Sequence, residues 1–208
     1  GESDVNYLIP EMIESLLKKK KITNDSGAYV ASLNTDPKIL ITKSDGSYLY
    51  LTTDLATVIH RKNKNFDTVL YVVDKRQSLH FNQLFKCLDY FGYDDANFEH
   101  IAFGTINDSM GNPFKTREGG TKKLIDLFEE TKYYVKDINK NLDDSTINKL
   151  ANTILTFSDL ITNRKTDYKF DLEKFSNISG KTGIYVQYAL VRARKLLNKS
   201  KLKLDKDF

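Results

Sequence analysis

Thr68-Val69-Leu70-Tyr71-Val72-Val73 is followed by Asp74-Lys75-Arg76-Gln77-Ser78-Leu79-His80, and then by Phe81, Leu84, Phe85, Leu88 and Phe91 at helical spacing. The continuous apolar run reads as a strand covered on both faces. The spacing from Gln77 to Phe91 reads as a helix that Gly92 stops, glycine being the residue that reverses the chain there at least steric cost. Phe98–Ile106 is a second buried-strand candidate. Strand, helix, strand in that order is the signature of a βαβ unit around a parallel sheet. The fold class is therefore α/β.

Upstream, Tyr48–Leu51 reads as a further strand, and Thr52-Thr53-Asp54 opens a helix to about Lys64, with a hydroxyl for the N-cap and a carboxylate for the first turn. Residues 5–21 read as a helix ending in Lys18–Lys21, where cations suit the negative end of the dipole. Ala28–Ser32 and Ile39–Thr42 read as short strands, with Ser44-Asp45-Gly46-Ser47 as a turn. Those pieces form a small β insertion. Downstream, residues 107–121 are a polar loop carrying Gly111, Gly119 and Gly120, and the remainder reads as all-helical, over about 122–137, 143–162 and 183–199. In the middle helix Ile147, Leu150, Ile154, Phe157 and Ile161 make one apolar face.

The 208 residues are 40% hydrophobic and 29% charged, which excludes a disordered chain. No run approaches the roughly 18–20 apolar residues of a membrane helix, and Gly1-Glu2-Ser3-Asp4 lacks the basic and apolar regions of a signal peptide. The lone Cys87 rules out an internal disulfide and reads as a core residue. A cytoplasmic protein without a membrane partner is expected. The chain's net charge of +4 is a basic end, residues 181–208 at +6, on a body at −2. Such an end fits either a solvated lysine-rich terminus or a phosphate-backbone partner.

His60, His80 and His100 have no partners at metal-site spacing, so no metal ligands are expected. No G-x-S-x-G, complete P-loop or G-x-G-x-x-G is present. Three stretches fall where an α/β sheet places ligands, beyond the carboxyl ends of its strands. In Tyr50-Leu51-Thr52-Thr53-Asp54 the spacing can aim a phenol and a carboxylate into one crevice. Asp54 could bind a cation there, a guanidinium being favoured for its bidentate geometry, or could stabilise only the helix N-terminus. Gln77 and His80 lie three apart and share a face of the next helix's first turn, as ligand groups or as ordinary capping. The loop Gly111–Thr121 offers Lys115, Thr116 and Arg117 to a polyphosphate, or is a surface turn.

Taken together, these stretches resemble the arginyl-tRNA synthetase family of class I aminoacyl-tRNA synthetases. The resemblance is carried by Asp45–Ala56, Tyr71–His80, His100-Ile101-Ala102-Phe103-Gly104, Pro113–Thr121, Asn163–Asp171 and Gly183–Ala189, in that order and over nearly the whole chain. It implies the second half of a class I Rossmann-like nucleotide-binding fold with a small β insertion over 1–121. A helical extension would follow over 122–182, then the start of a helical anticodon-binding domain over 183–208.

It also implies a pocket of Tyr50, Asp54 and Gln77 for L-arginine, with Asp54 on the guanidinium. His80, His100, Phe103 and Gly104 would lie on the adenosine side of the ATP site. Lys115, Thr116 and Arg117 would stand in for the family's mobile lysine-containing loop, with Lys115 and Arg117 stabilising charge on the triphosphate. ATP with Mg²⁺, L-arginine and tRNA(Arg) are the implied substrates of a whole enzyme that is a monomer and holds no permanently bound cofactor. The His-x-Gly-His signature of class I enzymes does not occur in the sequence. An internal fragment that does not charge tRNA by itself is therefore expected. The rival readings are a non-catalytic RNA or protein interaction module and a class I synthetase of another specificity.

Overall fold

The computed structural model describes residues 2–62, 64–108, 111 and 123–200. They fall into two units, Gly1–Phe103 and the part from Gly104 on. In the first, two 3₁₀ turns (Glu2–Asp4, Asn6–Leu8) lead into α1 (Ile9–Lys18), the hairpin β1 (Ile22–Asp25) and β2 (Ala28–Ala31), α2 (Tyr50–Lys62), β3 (Thr68–Asp74), a 3₁₀ turn (Lys75–Gln77), α3 (Ser78–Phe91) and β4 (Asn97–Phe103). The second holds β5 (Ile106–Asn107), α4 (Leu124–Ile138), α5 (Asp144–Leu160), β6 (Tyr168–Lys169), α6 (Leu172–Phe175) and α7 (Gly183–Ser200). No helix of the described residues is long and apolar enough to cross a membrane.

β3 and β4 pair in parallel from Thr68↔Asn97 to Asp74↔Phe103, with α3 as the crossover. The βαβ unit expected from the sequence is present. α3 turns Phe81, Leu84, Cys87, Leu88 and Phe91 into the core of the first unit, where they meet Leu51, Leu55, Ala56 and Val58 of α2 and Ile9, Met12 and Leu16 of α1. Gly92 ends α3 in the left-handed region (φ +78°), as expected, with Tyr93 N–H donating back to Leu88 O at 2.9 Å. Cys87 is fully buried, and desolvation pushes its thiol up to about 12. It is inert packing.

The sheet departs from expectation in one respect. β3 was expected to be covered on both faces, yet its exposure alternates: Leu70 is 55% and Val72 64% exposed, while Val69, Tyr71 and Val73 are partly buried. Among the described residues, helices of this unit pack only on the second of those faces. A run of apolar residues records a strand's affinity for cover, and does not record which segment supplies it.

Other boundaries shift for local reasons. The helix expected over 5–21 is α1 alone, because Lys20 turns left-handed (φ +55°) and Lys20 and Lys21 donate to Leu17 O and Leu16 O. That is the Schellman stop with a lysine in the glycine place. It frees Ile22–Asp25 to become β1, paired with β2 through Ser26-Gly27, both at positive φ, a two-residue turn whose twist suits a hairpin. The segment 39–42 makes only single bridges, Val30↔Leu40 and Thr42↔Tyr48, rather than a full strand. The strand expected over Tyr48–Leu51 is absent: α2 already begins at Tyr50. Thr52 explains this. Its buried hydroxyl donates to Ile41 O and accepts from Leu49 N–H at 3.0 Å, so the third helical residue caps the chain just before the helix.

The second strand candidate also ends early, at Phe103 rather than Ile106. Ile106–Asn107 pair instead with Tyr168–Lys169 in parallel, so the remainder is not all-helical as expected. The small core of this unit gathers Leu127, Val135, Ile147, Ile154 and Phe170. Asp143 caps α5 by accepting from Thr146 N–H at 2.9 Å and from its hydroxyl at 2.7 Å.

Candidate active site

Asp74 ends β3 and starts the site. Its carboxylate accepts from Arg76 N–H (2.8 Å), Nε (2.9 Å) and Nη2 (2.6 Å), which folds Lys75–Gln77 into a 3₁₀ turn. The turn sets Gln77 at the entrance to α3 (φ −92°, ψ +9°), exposed and without a side-chain cap bond. Three residues later His80 lies in the first turn of α3. Both therefore stand just beyond the carboxyl end of a parallel strand, where an α/β sheet binds its ligands.

α2 delivers the other half. Asp54 is the fifth residue of that helix, and no acidic residue lies in its first turn. The reading of Asp54 as a helix-end stabiliser is thereby removed. Its Oδ2 instead accepts from His80 Nε2 at 2.7 Å, with the two side chains 34% and 24% exposed. Tyr50, one helical turn earlier, is 73% exposed. Beneath them Tyr71 is partly buried. Burial pushes its phenol up, Arg61 opposes that shift and Asp54 adds to it.

His100 is committed differently. Its Nε2 donates to Val73 O across the strand pair at 3.0 Å, and its ring packs on buried Phe81 at 4.5 Å between centroids. His80 meets the same phenylalanine edge-on at 5.2 Å. Phe103 ends β4 level with Asp74 and is partly open. So Tyr50, Asp54, Gln77, His80, His100 and Phe103 all belong to the first unit, and the Asp54–His80 bond joins α2 to α3.

Gly104 belongs to the second unit, and packing accounts for it. A Cβ at that position would lie 2.5 Å from Thr166 O and 2.8 Å from Asp167 N, and its N–H donates to Arg164 O at 2.7 Å. The Asn163–Asp171 stretch is thus a strut. Thr105 N–H donates to Asp167 Oδ1 at 2.7 Å, Tyr168 N–H to Thr105 O at 3.1 Å, and Asp171 caps α6. Tyr168 is pushed up to about 12 by burial, with the Asp159 carboxylate adding to the shift. Lys115, Thr116 and Arg117 lie outside the described residues. Among the described residues no group of three or more His, Cys, Asp or Glu could hold a metal ion.

Sequence reasoning missed three supports. The Thr52–Ile41 and Asp54–His80 bonds span 11 and 26 residues, so no local pattern announces them. The Asp74 cap was legible in Asp74-Lys75-Arg76, an acceptor two residues before its donor.

An imidazole and an exposed amide just beyond β3, with a carboxylate bonded to the imidazole, lie where an α/β domain of the nucleotide-binding kind takes its ligands. Residues 1–172 match the family described as tRNA synthetases class I (R), catalytic domain, and the chain belongs to that family. An arginine–tRNA ligase of Francisella tularensis subsp. tularensis (strain FSC 198) is 46% identical over 96% of this chain and 35% of its own length. One from Hyphomonas neptunium is 39% identical over 96% of the chain and 37% of its own. The crystal structure of arginyl-tRNA synthetase from Plasmodium falciparum superposes with a TM-score of 0.74 at 27% identity, over 98% of this chain and 36% of that one. The Thermus thermophilus arginyl-tRNA synthetase shares the fold at a TM-score of 0.72. The chain thus spans about 35% of the length of the Francisella relatives.

Proposed function

We propose that this chain is the arginine-side and part of the ATP-side of an arginine–tRNA ligase. In that reaction the arginine carboxylate attacks the α-phosphate of ATP, releasing pyrophosphate and leaving arginyl-adenylate. A ribose hydroxyl at the tRNA end then takes the arginyl group. No side chain forms a covalent bond. Positioning and charge stabilisation carry the step.

The observation that carries the reading is Asp54: a one-third exposed carboxylate bonded to His80 in the first turn after β3, with Tyr50 one turn before it on the same helix. A planar guanidinium is the cation whose fork suits a carboxylate. Tyr50 and Gln77, both exposed, orient the amino acid. His100, Phe103 and Gly104 supply backbone to the adenosine side. Lys115, Thr116 and Arg117 serve the triphosphate, with Lys115 and Arg117 countering its charge. Mg²⁺ accompanies the polyphosphate as part of the nucleotide substrate.

tRNA(Arg) is the macromolecular partner. Support comes from α7, which has no acidic residue and exposes Arg192, Arg194, Lys195 and Lys199. Residues 1–121, 122–182 and 183–208 correspond to the catalytic half-domain, its helical extension and the start of an anticodon-binding bundle. The whole enzyme works as a cytoplasmic monomer, and this 208-residue chain alone does not charge tRNA. The test is Asp54→Ala in a full-length enzyme carrying this sequence. Arginine-dependent ATP–pyrophosphate exchange is expected to fall by at least about a hundredfold, the loss that goes with removing a charged, bidentate partner. Unaltered exchange would remove arginine from this pocket.

A further inference from the structure

The resemblance puts His80 on the adenosine side, but its contacts lead elsewhere. Its Nε2 reaches Asp54 Oδ2 at 2.7 Å, and its ring stands edge-on against Phe81, a residue 4% exposed. Phe81 is itself held by the ring of His100, whose Nε2 is spent on Val73 O. His80 therefore leans on an anchored ring and points its donor at one carboxylate oxygen. Among the described residues the Asp54 carboxylate makes no other hydrogen bond or ion pair. Oδ2 is held and Oδ1 is open.

That arrangement has a specific use. A carboxylate free to spin about its last torsion loses entropy when a guanidinium fixes its plane. One tied at a single oxygen has that loss already met. A neutral imidazole also donates without cancelling the negative charge that attracts the cation. We propose that His80 is a positioning residue for Asp54, orienting the carboxylate so that Oδ1 and its charge face the arginine guanidinium, and is not a ligand of ATP. The inference rests on the arginine-pocket reading above.

The test uses a full-length enzyme carrying this sequence at fixed neutral pH, with L-arginine and ATP titrated separately and followed by calorimetry, and the imidazole protons by NMR. L-citrulline, isosteric but uncharged, is the control. In the unsubstituted enzyme His80 carries its proton on Nε2, and that resonance moves in Asp54→Asn. His80→Ala weakens arginine about tenfold, the scale of one hydrogen bond to a charged group. His80→Gln, which returns an Nε2 donor, brings the affinity back to within about threefold. ATP affinity changes less than twofold in both variants.

If Asp54→Ala abolishes arginine binding while His80→Ala leaves it unchanged, the positioning role falls and the pocket stands. A selective loss of ATP affinity in His80→Ala has the same meaning. No arginine binding by the unsubstituted enzyme, or binding indifferent to Asp54→Ala, overturns the pocket and this proposal with it. Should His80→Ala lose its dispersed amide spectrum, His80→Gln decides: near-native arginine affinity supports the donor role, and affinity lost with the fold intact overturns it.

Discussion

Helices α3 and α7 are both rich in apolar residues, and only one of them makes a core. α3 buries Phe81, Leu84, Cys87, Leu88 and Phe91, whereas Gly183 is the buried residue of the longer α7. Tyr185, Val186, Leu190, Val191 and Leu196 of α7 are all exposed. The difference is one of arrangement. In α3 the apolar residues recur three and four apart on the stripe facing α2 and the sheet. In α7 they run round the helix, so the face that meets α5 satisfies few of them. An all-round apolar helix belongs in a larger assembly than one neighbour supplies. A chain spanning about 35% of its Francisella relatives' length is consistent with such an unmet demand.

The largest expected effect tests the α3 side. Leu84 is fully buried, and Leu84→Ala removes three carbons where the surroundings close only in part. A loss of about 2–5 kcal/mol is expected in urea unfolding. A loss below about 1 kcal/mol would mean that this core is loosely packed and the contrast with α7 unreal.

Next comes the contact that α7 does make. A Cβ on Gly183 would lie 2.7 Å from Thr153 Cγ2, 2.8 Å from Thr153 O and 2.9 Å from Phe157 Cβ. Gln187 Nε2 donates to the Thr153 hydroxyl one turn on. Gly183→Ala must push α7 off α5, at a cost of about 1–3 kcal/mol. Hydrogen exchange should quicken in α7 and leave α3 unchanged. Equal quickening in both would merge the two regions.

How much of this was legible follows from how local each determinant is. Strand, helix and strand from Thr68 to Phe103 could be read because apolar residues are contiguous in the strands and three and four apart in the helix. The missing strand at 48–51 could not, since β-prone residues were overruled by Thr52 bonding to Ile41 O. Nor could β5–β6, whose partners lie 62 residues apart. The resemblance names Tyr50 and Asp54 as a pair from their motif, and the structure sets them four apart on one helix rather than on a strand and a helix. The bond that ties Asp54 to His80 is a product of tertiary packing.

A smaller effect separates local from tertiary electrostatics. The Thr146 hydroxyl and backbone N–H hold the Asp143 carboxyl below the usual carboxylate range. A depressed native value contributes stability above the unfolded value near 3.9 and loses it as pH falls through the native value. Protection at the start of α5 should therefore fade below about pH 4. Asp143→Asn keeps an N-cap but has nothing to titrate, so it should flatten that acid dependence. A slope that persists in the variant would point to another carboxylate.

The smallest expected effect is the sharpest on the comparison. Leu196 of α7 is 65% exposed. Leu196→Ala removes a side chain that covers little, and alanine is if anything the better helix former. Stability should change by no more than about 0.5 kcal/mol, against several for Leu84→Ala. The same substitution should reduce any concentration-dependent sedimentation of the chain, because it removes apolar surface from water. A destabilisation above about 1 kcal/mol would place Leu196 in a packed interface within the chain itself. α7 would then be a core helix like α3, and its all-round apolar pattern would need no absent neighbour to explain it.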